Sequence, residues 1–322
     1  MPEQKSLTPQ ERARQKKWMK RGILASALVA LVSVCALVFL LVDSLIAKNA
    51  HREILERFII EELVDAPGTV TPDIRKQWDG SGATLKVDFA ALVGANSDTV
   101  AWLQVPGTDI SYPVLHAADN DFYTTHGFDR TTDTRGAIFL EASNAAAFAD
   151  RNSIIYGHAM RDTTMFGSLR AHFLADAKET VDPFFYLYLP DGRVNRYLVF
   201  SYYDTGDASD AYSTFTADDA YDYYVYYAQT LSQAGVTWEE LLRTAGVTDP
   251  AGAAQEEREG AAAVDPAEDG REGAAADGVP APEADSIFAE RPPIVTLSTC
   301  VGPSGSSRRF VVHGVLAGSV VR

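Results

Sequence analysis

Apolar positions fall along this chain in three successive patterns, and each predicts a different kind of element. Near the N-terminus, "GILASALVALVSVCALVFLLV" runs from Gly22 to Val42 without a charged residue. A helix rises about 1.5 Å per residue, so roughly twenty apolar residues match the ~30 Å hydrocarbon core of a bilayer. Over residues 44–66, Leu45, Ile46, Ile54, Leu55, Phe58, Ile59 and Leu63 recur at helical spacing. That predicts a helix with one apolar stripe, ended by Pro67-Gly68, before a connector over 68–83. From about Lys86 the apolar residues come in short blocks separated by turn residues, the pattern of strands.

"TVAWLQVPGTDISYPVLH" predicts two strands around a turn at Pro106-Gly107, and "GAIFLE" and "NSIIYGH" predict one strand each. "FFYLYLPDGRVNRYLVFSYYDT" is a hairpin about Asp191-Gly192. "PPIVTLSTC" and "RRFVVHGVLAG" complete the set. Around eight short strands with few helices indicate a mainly β domain, either barrel or sandwich. One helical stretch interrupts them at 216–233, with Thr216 as its N-cap and an acidic first turn, and "TWEELLRTAG" adds a further turn or two.

Charge assigns sides to the apolar span. Lys5, Arg12, Arg14, Lys16, Lys17, Lys20 and Arg21 precede it against Glu3 and Glu11. By the positive-inside rule, residues 1–22 are a basic cytoplasmic tail, 23–42 a single-pass anchor in the cell membrane, and everything after Asp43 is extracellular. A cleaved signal peptide fits less well, because the run exceeds a signal h-region of roughly 7–15 residues. Residues 43–85 then form a helical stalk and connector, and 86–322 the main domain. The chain carries a net charge of −16 despite its basic tail, which argues against nucleic acid as a partner. Residues 251–286 hold twelve alanines, ten acids, two arginines and no aromatic residue. Such a segment buries too little apolar surface to offset its chain entropy, so it is expected to be a disordered acidic insertion.

The chemistry narrows to one thiol. Cys35 lies within the span, so Cys300 is the only exported cysteine. A leftover exported thiol is either reactive or a small buried hydrophobe, and count alone leaves both open. A reactive thiolate needs a base or a cation beside it, and acyl transfer needs donors for an oxyanion. His51 and His172 read as solvated, and His126 sits in a loop. His158, at the end of a buried run, ranks ahead of His116 and His313 as the partner. Along "RRFVVHG", Arg308 shares a face with Phe310 and Val312, which leaves Arg309 free to face the cysteine.

"TLSTC" ending one strand, "RFVVHG" opening the next and "NSIIYGHAM…TMFGSL" upstream together resemble the sortases, specifically class B. The resemblance runs from about Lys86 to the C-terminus, apart from the acidic insertion. It implies an eight-stranded β-barrel with helices before it and a long helix between the sixth and seventh strands. It implies a cysteine transpeptidase with Cys300 as nucleophile, His158 as acid/base and Arg309 as oxyanion stabiliser, needing no cofactor or metal. His116 and His313 become structural. By resemblance too, Asn120, Tyr123 and Thr124 in "ADNDFYTTHGF", with Tyr156 and Ser298, contact substrate. The implied partners are surface proteins carrying a C-terminal sorting signal, cleaved after Thr, and an amine acceptor in a peptidoglycan precursor or a pilin.

Other classes fit less well. Papain-like hydrolases place Cys before His at the start of a helix, and the Ser-His-Gly-Cys block of L,D-transpeptidases is absent from the sequence. A different exported cysteine hydrolase, or a membrane-tethered β adhesion domain with an inert Cys300, stays open on the residues alone. For the insertion, limited proteolysis should cut first within 251–286. Replacing it with a short Gly/Ser linker should cost little stability, since loop closure depends weakly on length. Strong hydrogen-exchange protection across it would contradict this.

Overall fold

The structure, a computed structural model, describes residues 9–62, 80, 82–174, 183–233, 288, 290–300 and 306–321. The expected turns within 237–246 and the insertion at 251–286 lie outside the described residues. The chain divides into two compact units, residues 1–54 and 55–322.

Helix α1, Pro9–Phe58, makes up most of the first unit and leads into the second. Its apolar stretch is wholly exposed, and it is long and apolar enough to cross a membrane. The helical periodicity predicted to reach residue 66 stops at Phe58, because Phe58 is buried edge-on against Phe128, with centroids 5.4 Å apart. Strand β1, Ile59–Glu62, follows at once and pairs antiparallel with β2, Leu85–Val87. The β-branched Ile59-Ile60 pair favours that extended chain once a partner strand is present. Helix α2, Phe89–Ala95, breaks into what the pattern read as β. The Asp88 carboxylate caps it, accepting from the Ala91 N–H at 2.9 Å.

Eight strands then close a barrel. They are β3 (Thr99–Gln104), β4 (Ser111–Leu115), β5 (Ile138–Leu140), β6 (Asn152–Gly157), β7 (Phe184–Tyr188), β8 (Arg193–Gly206), β9 (Ile294–Cys300) and β10 (Arg308–Val321). The order around the barrel is β10-β8-β7-β3-β4-β5-β6-β9. Pairs β4–β5 and β6–β9 are parallel, and the rest antiparallel. The two predicted turns are present, with Gly107 and Gly192 at φ 74° and 85°, where a glycine is least strained. A short helix α3, Leu169–Leu174, follows β6. Helix α4, Asp218–Thr230, lies between the sixth and seventh barrel strands as expected. Its N-cap is Ala217 without a side-chain bond, not Thr216. The acidic first turn, Asp218-Asp219, still faces the positive end of the helix dipole.

Leu103, Ile155, Phe185, Leu297, Phe310 and Val312 fill the interior. Gly314 must lack a side chain there, since a Cβ would run into the Phe185 ring and crowd the Tyr197 Cβ. Thr296 and Ser298 alternate with Val295 and Leu297 and so face outward. Outside, α4 packs over β8 and β10 and buries that second face as well. Its Tyr224 hydroxyl lies 3.0 Å from both Thr296 Oγ1 and His313 Nδ1. Thr296 in turn donates to Asn152 Oδ1 at 2.8 Å, and Ser201 Oγ to the Ala228 carbonyl at 2.5 Å. The chain entering β9 is clamped to the same helix. Arg291 Nε and Nη2 donate to the two Asp222 oxygens at 2.9 and 2.7 Å, and Arg151 Nη2 lies 2.9 Å from Asp218.

Full burial pushes His313 down to about 3, so it is neutral in the folded protein. His172, expected to be solvated, is half-buried beside Phe173, and burial lowers it too. An unfolded histidine titrates near ~6.5, so below that pH the unfolded chain binds more protons than the folded one. Stability should therefore fall as pH drops from about 6.5 toward 5, by up to about 1.4 kcal/mol per unit from His313, with His172 adding in the same direction. His313→Asn, though less stable at neutral pH, should flatten that slope. Denaturant midpoints at pH 7.5 and 5.0 for both proteins check it.

Candidate active site

Strand β9 ends on Cys300, and its two neighbours bring the other expected residues to the same level. In the antiparallel ladder with β10, Cys300 stands directly opposite Arg309. In the parallel ladder with β6, the register ends at Gly157 opposite Thr299, so one step further sets His158 beside Cys300. Adjacent strands lie about 4.8 Å apart, which makes these three residues a cross-strand row. Arg308, one residue away, projects to the other side of β10 and is exposed.

His158 is held at both ends. Its backbone carbonyl accepts from the Phe166 N–H at 2.9 Å, and Phe166 is buried under Gly157. Its Nε2 lies 2.9 Å from the Thr124 carbonyl oxygen. A carbonyl only accepts, so Nε2 carries a proton and donates it there. Arg309 is part-buried, with its Nη1 donating to the Ser306 and Arg308 carbonyls at 2.6 and 3.1 Å. Its Nη2 lies 3.8 Å from Asp207, in the loop between β8 and α4. The guanidinium is thus turned back on its own strand.

The other expected residues divide by position. Tyr156 and Ser298 are cross-strand neighbours, two residues before His158 and Cys300 in sequence, and face outward. The buried Ser298 hydroxyl lies 2.8 Å from the hydroxyl of Tyr212. Tyr212 stacks on Tyr156, with centroids 6.2 Å apart. Asn120 bonds Glu141 and the Ala142 N–H. Thr124 meets His158 through its backbone alone, its hydroxyl bonding the Asp121 carbonyl. Tyr123 is fully buried, its hydroxyl donating to Asp98 at 2.6 Å and accepting from Asn96 at 3.0 Å. Of the remaining histidines, His313 is sealed under α4, and His116 Nε2 lies 3.3 Å from the Ala142 carbonyl. Glu141, Tyr212 and Asp207 are the neighbours that sequence reading missed. Only Glu141 carried a signal, as an acid closing a buried strand. Among the described residues, no group of three His, Cys, Asp or Glu could hold a metal ion.

At the level of the backbone, Cys300 thus stands between the chains that carry His158 and Arg309. Known proteins share this architecture. The sortase-domain family matches residues 103–317 of the 322 in this chain. Sortase B of Listeria monocytogenes is 35% identical over 114 residues, or 34% of this chain and 46% of the relative. Sortase B of Staphylococcus aureus is 35% identical over 85 residues, or 26% of this chain and 35% of the relative. The alignments thus span less than half the length of those relatives. The fold is that of Clostridium perfringens sortase B, at TM-score 0.50 and 23% identity over 72% of this chain and 100% of that one. A Bacillus anthracis protein described as similar to sortase B gives TM-score 0.50 and 23% identity over 85% and 94%. With the family match spanning most of the barrel, and class B members as its relatives, this chain belongs to the sortase family.

Proposed function

We propose that this chain is a membrane-tethered cysteine transpeptidase of the class B kind. It cleaves a C-terminal sorting signal after Thr and joins the acyl group to an amine of a peptidoglycan precursor or a pilin. What carries this reading is the register of β9, with Arg309 opposite Cys300 on one side and His158 beside it on the other. The basic residues that precede the apolar stretch of α1 support an N-terminus in the cytoplasm and a catalytic domain outside.

The Cys300 thiolate attacks the Thr carbonyl carbon, and the C=O electrons move onto oxygen, where Arg309 stabilises them. Collapse of that adduct breaks the peptide C–N bond while His158 protonates the departing amine, leaving a thioester on Cys300. An incoming amine then attacks the thioester, gives its proton to His158 and releases the thiolate. Because Nε2 is engaged with Thr124, the proton is exchanged at Nδ1. A free thiol titrates near ~8.5 and imidazole near ~6.5, so with unshifted groups the working ion pair is a minority form at neutral pH. In this scheme Tyr156 and Ser298 line the acyl side of the groove, Thr124 orients the base through its carbonyl, and Tyr123 supports the loop from below.

Full-length protein in detergent, offered a mixed library of Thr-containing peptides, should cleave some of them. Cys300→Ala should abolish that cleavage and leave the melting temperature near wild type. More than trace cleavage by this variant would reject the reading. On the best peptide, Arg309→Ala should lower turnover about 10²–10³-fold, the usual cost of losing a positioned oxyanion donor. Arg308→Ala should stay within about three-fold, and Arg309→Lys should rescue poorly because an ammonium lacks the planar multi-donor fork. If Arg308→Ala were the dead variant, the stabilising role would belong to the other face of β10.

A further inference from the structure

One carboxylate beside the site belongs to none of these steps. Glu141 directly follows β5, and its side chain meets groups from two other segments. Asn120 Nδ2 lies 2.7 Å from each of its oxygens. The Tyr156 hydroxyl, on β6, donates to Oε2 at 2.9 Å. The Ser143 hydroxyl and N–H reach Oε1 at 3.3 and 3.4 Å. Burial favours the protonated form of Glu141, yet bonds from Asn120, Tyr156 and Ser143 outweigh it and hold the carboxyl below its usual range. Glu141 is therefore an anion at neutral pH.

Those bonds leave its partners little freedom. The other end of the Asn120 amide, Oδ1, accepts from the Ala142 N–H at 2.8 Å, so the amide cannot flip without losing both contacts. Turning the Tyr156 hydroxyl away would strand part of a half-buried carboxylate. The Tyr156 ring lies between Phe139 and Tyr212, and Tyr212 bonds Ser298, two residues before the nucleophile. Asn120 stands just before the turn Phe122–Thr124, whose last carbonyl holds His158. One anion thus ties the loop that orients the base to the aromatic pair beside the nucleophile.

We propose that Glu141 is a positioning residue, clamping Asn120 and Tyr156 into one rigid wall of the groove and so setting affinity for the acyl-donor peptide. The inference rests on the transpeptidase reading above. It assigns Glu141 to binding rather than bond making, because its carboxylate is filled by protein donors and lies beyond Tyr156 from the catalytic row.

The test uses full-length protein in detergent and the Thr-containing peptide that wild type cleaves fastest. Losing a charge-assisted hydrogen bond from a preformed wall should make Glu141→Gln raise KM about ten-fold, with kcat within about two-fold. Asn120→Asp alone, which sets two carboxylates face to face, should do the same or worse. Combining Asn120→Asp with Glu141→Gln reverses donor and acceptor. The new glutamine amide then donates to the new aspartate, which still accepts from the Ala142 N–H, while the glutamine carbonyl accepts from Tyr156. That pair should bring KM back to within about three-fold of wild type, showing an interaction energy that independent sites lack. Unchanged KM in Glu141→Gln, an equal fall in kcat, or a double variant no better than the singles would each overturn the proposal. If Glu141→Gln fails to fold, Tyr156→Phe removes one hydroxyl of the clamp and should raise KM without lowering kcat, and the opposite result would overturn it. Wild type that cleaves no peptide would overturn both readings, whereas normal wild-type cleavage with an indifferent Glu141→Gln would overturn this one alone.

Discussion

Strand β9 hydrogen-bonds in parallel to β6 and antiparallel to β10, and the register of those two ladders determines where every chemical group stands. Side chains alternate along a strand, so a slip of one residue would turn Ser298 and Thr296 into the barrel and expel Leu297 and Val295. The interior prevents it. Leu297 and Val295 belong to the same buried cluster as Phe310, Val312 and Ile155, so hydrophobic burial on one face fixes alignment on the other. Fold stability and site geometry are in this sense one constraint viewed from opposite faces of the sheet.

That outer face changes character along its length. Near the start of β9, Asn152, Thr296 and His313 are roofed by Tyr224 and bonded into a closed polar network. Toward the end of the strand the roof gives way to Tyr212 and then to Arg309, which is part-exposed. Two histidines on the same barrel face thus meet opposite fates. His313 is kept neutral by burial, whereas His158 lies at the strand end with its ring against a loop carbonyl. Tyr224 of α4 covers the first of them.

Much of this was legible in the sequence because it is local. Turn glycines follow from turn geometry, alternating blocks and the separate faces of Arg308 and Arg309 from a period of two, and each strand block matches an observed strand. The missed features depend on partners far along the chain. The helix predicted to reach residue 66 ends at Phe58 because Phe128 packs against it, which no local pattern encodes. Tyr123 sits in a polar-looking loop, yet its hydroxyl is claimed by residues 25 and 27 positions earlier. Tyr212 reaches Ser298 across 86 residues, and in sequence it is one tyrosine among fourteen.

The ion pairs of Arg291 have a mechanical meaning beyond stability. They fasten the chain to α4 three residues before β9 begins, with the Arg291 carbonyl also bonded by Arg151 at 2.5 Å. Any pull along the chain that arrives at Arg291 is met by that knot before it can reach the ladder aligning Cys300.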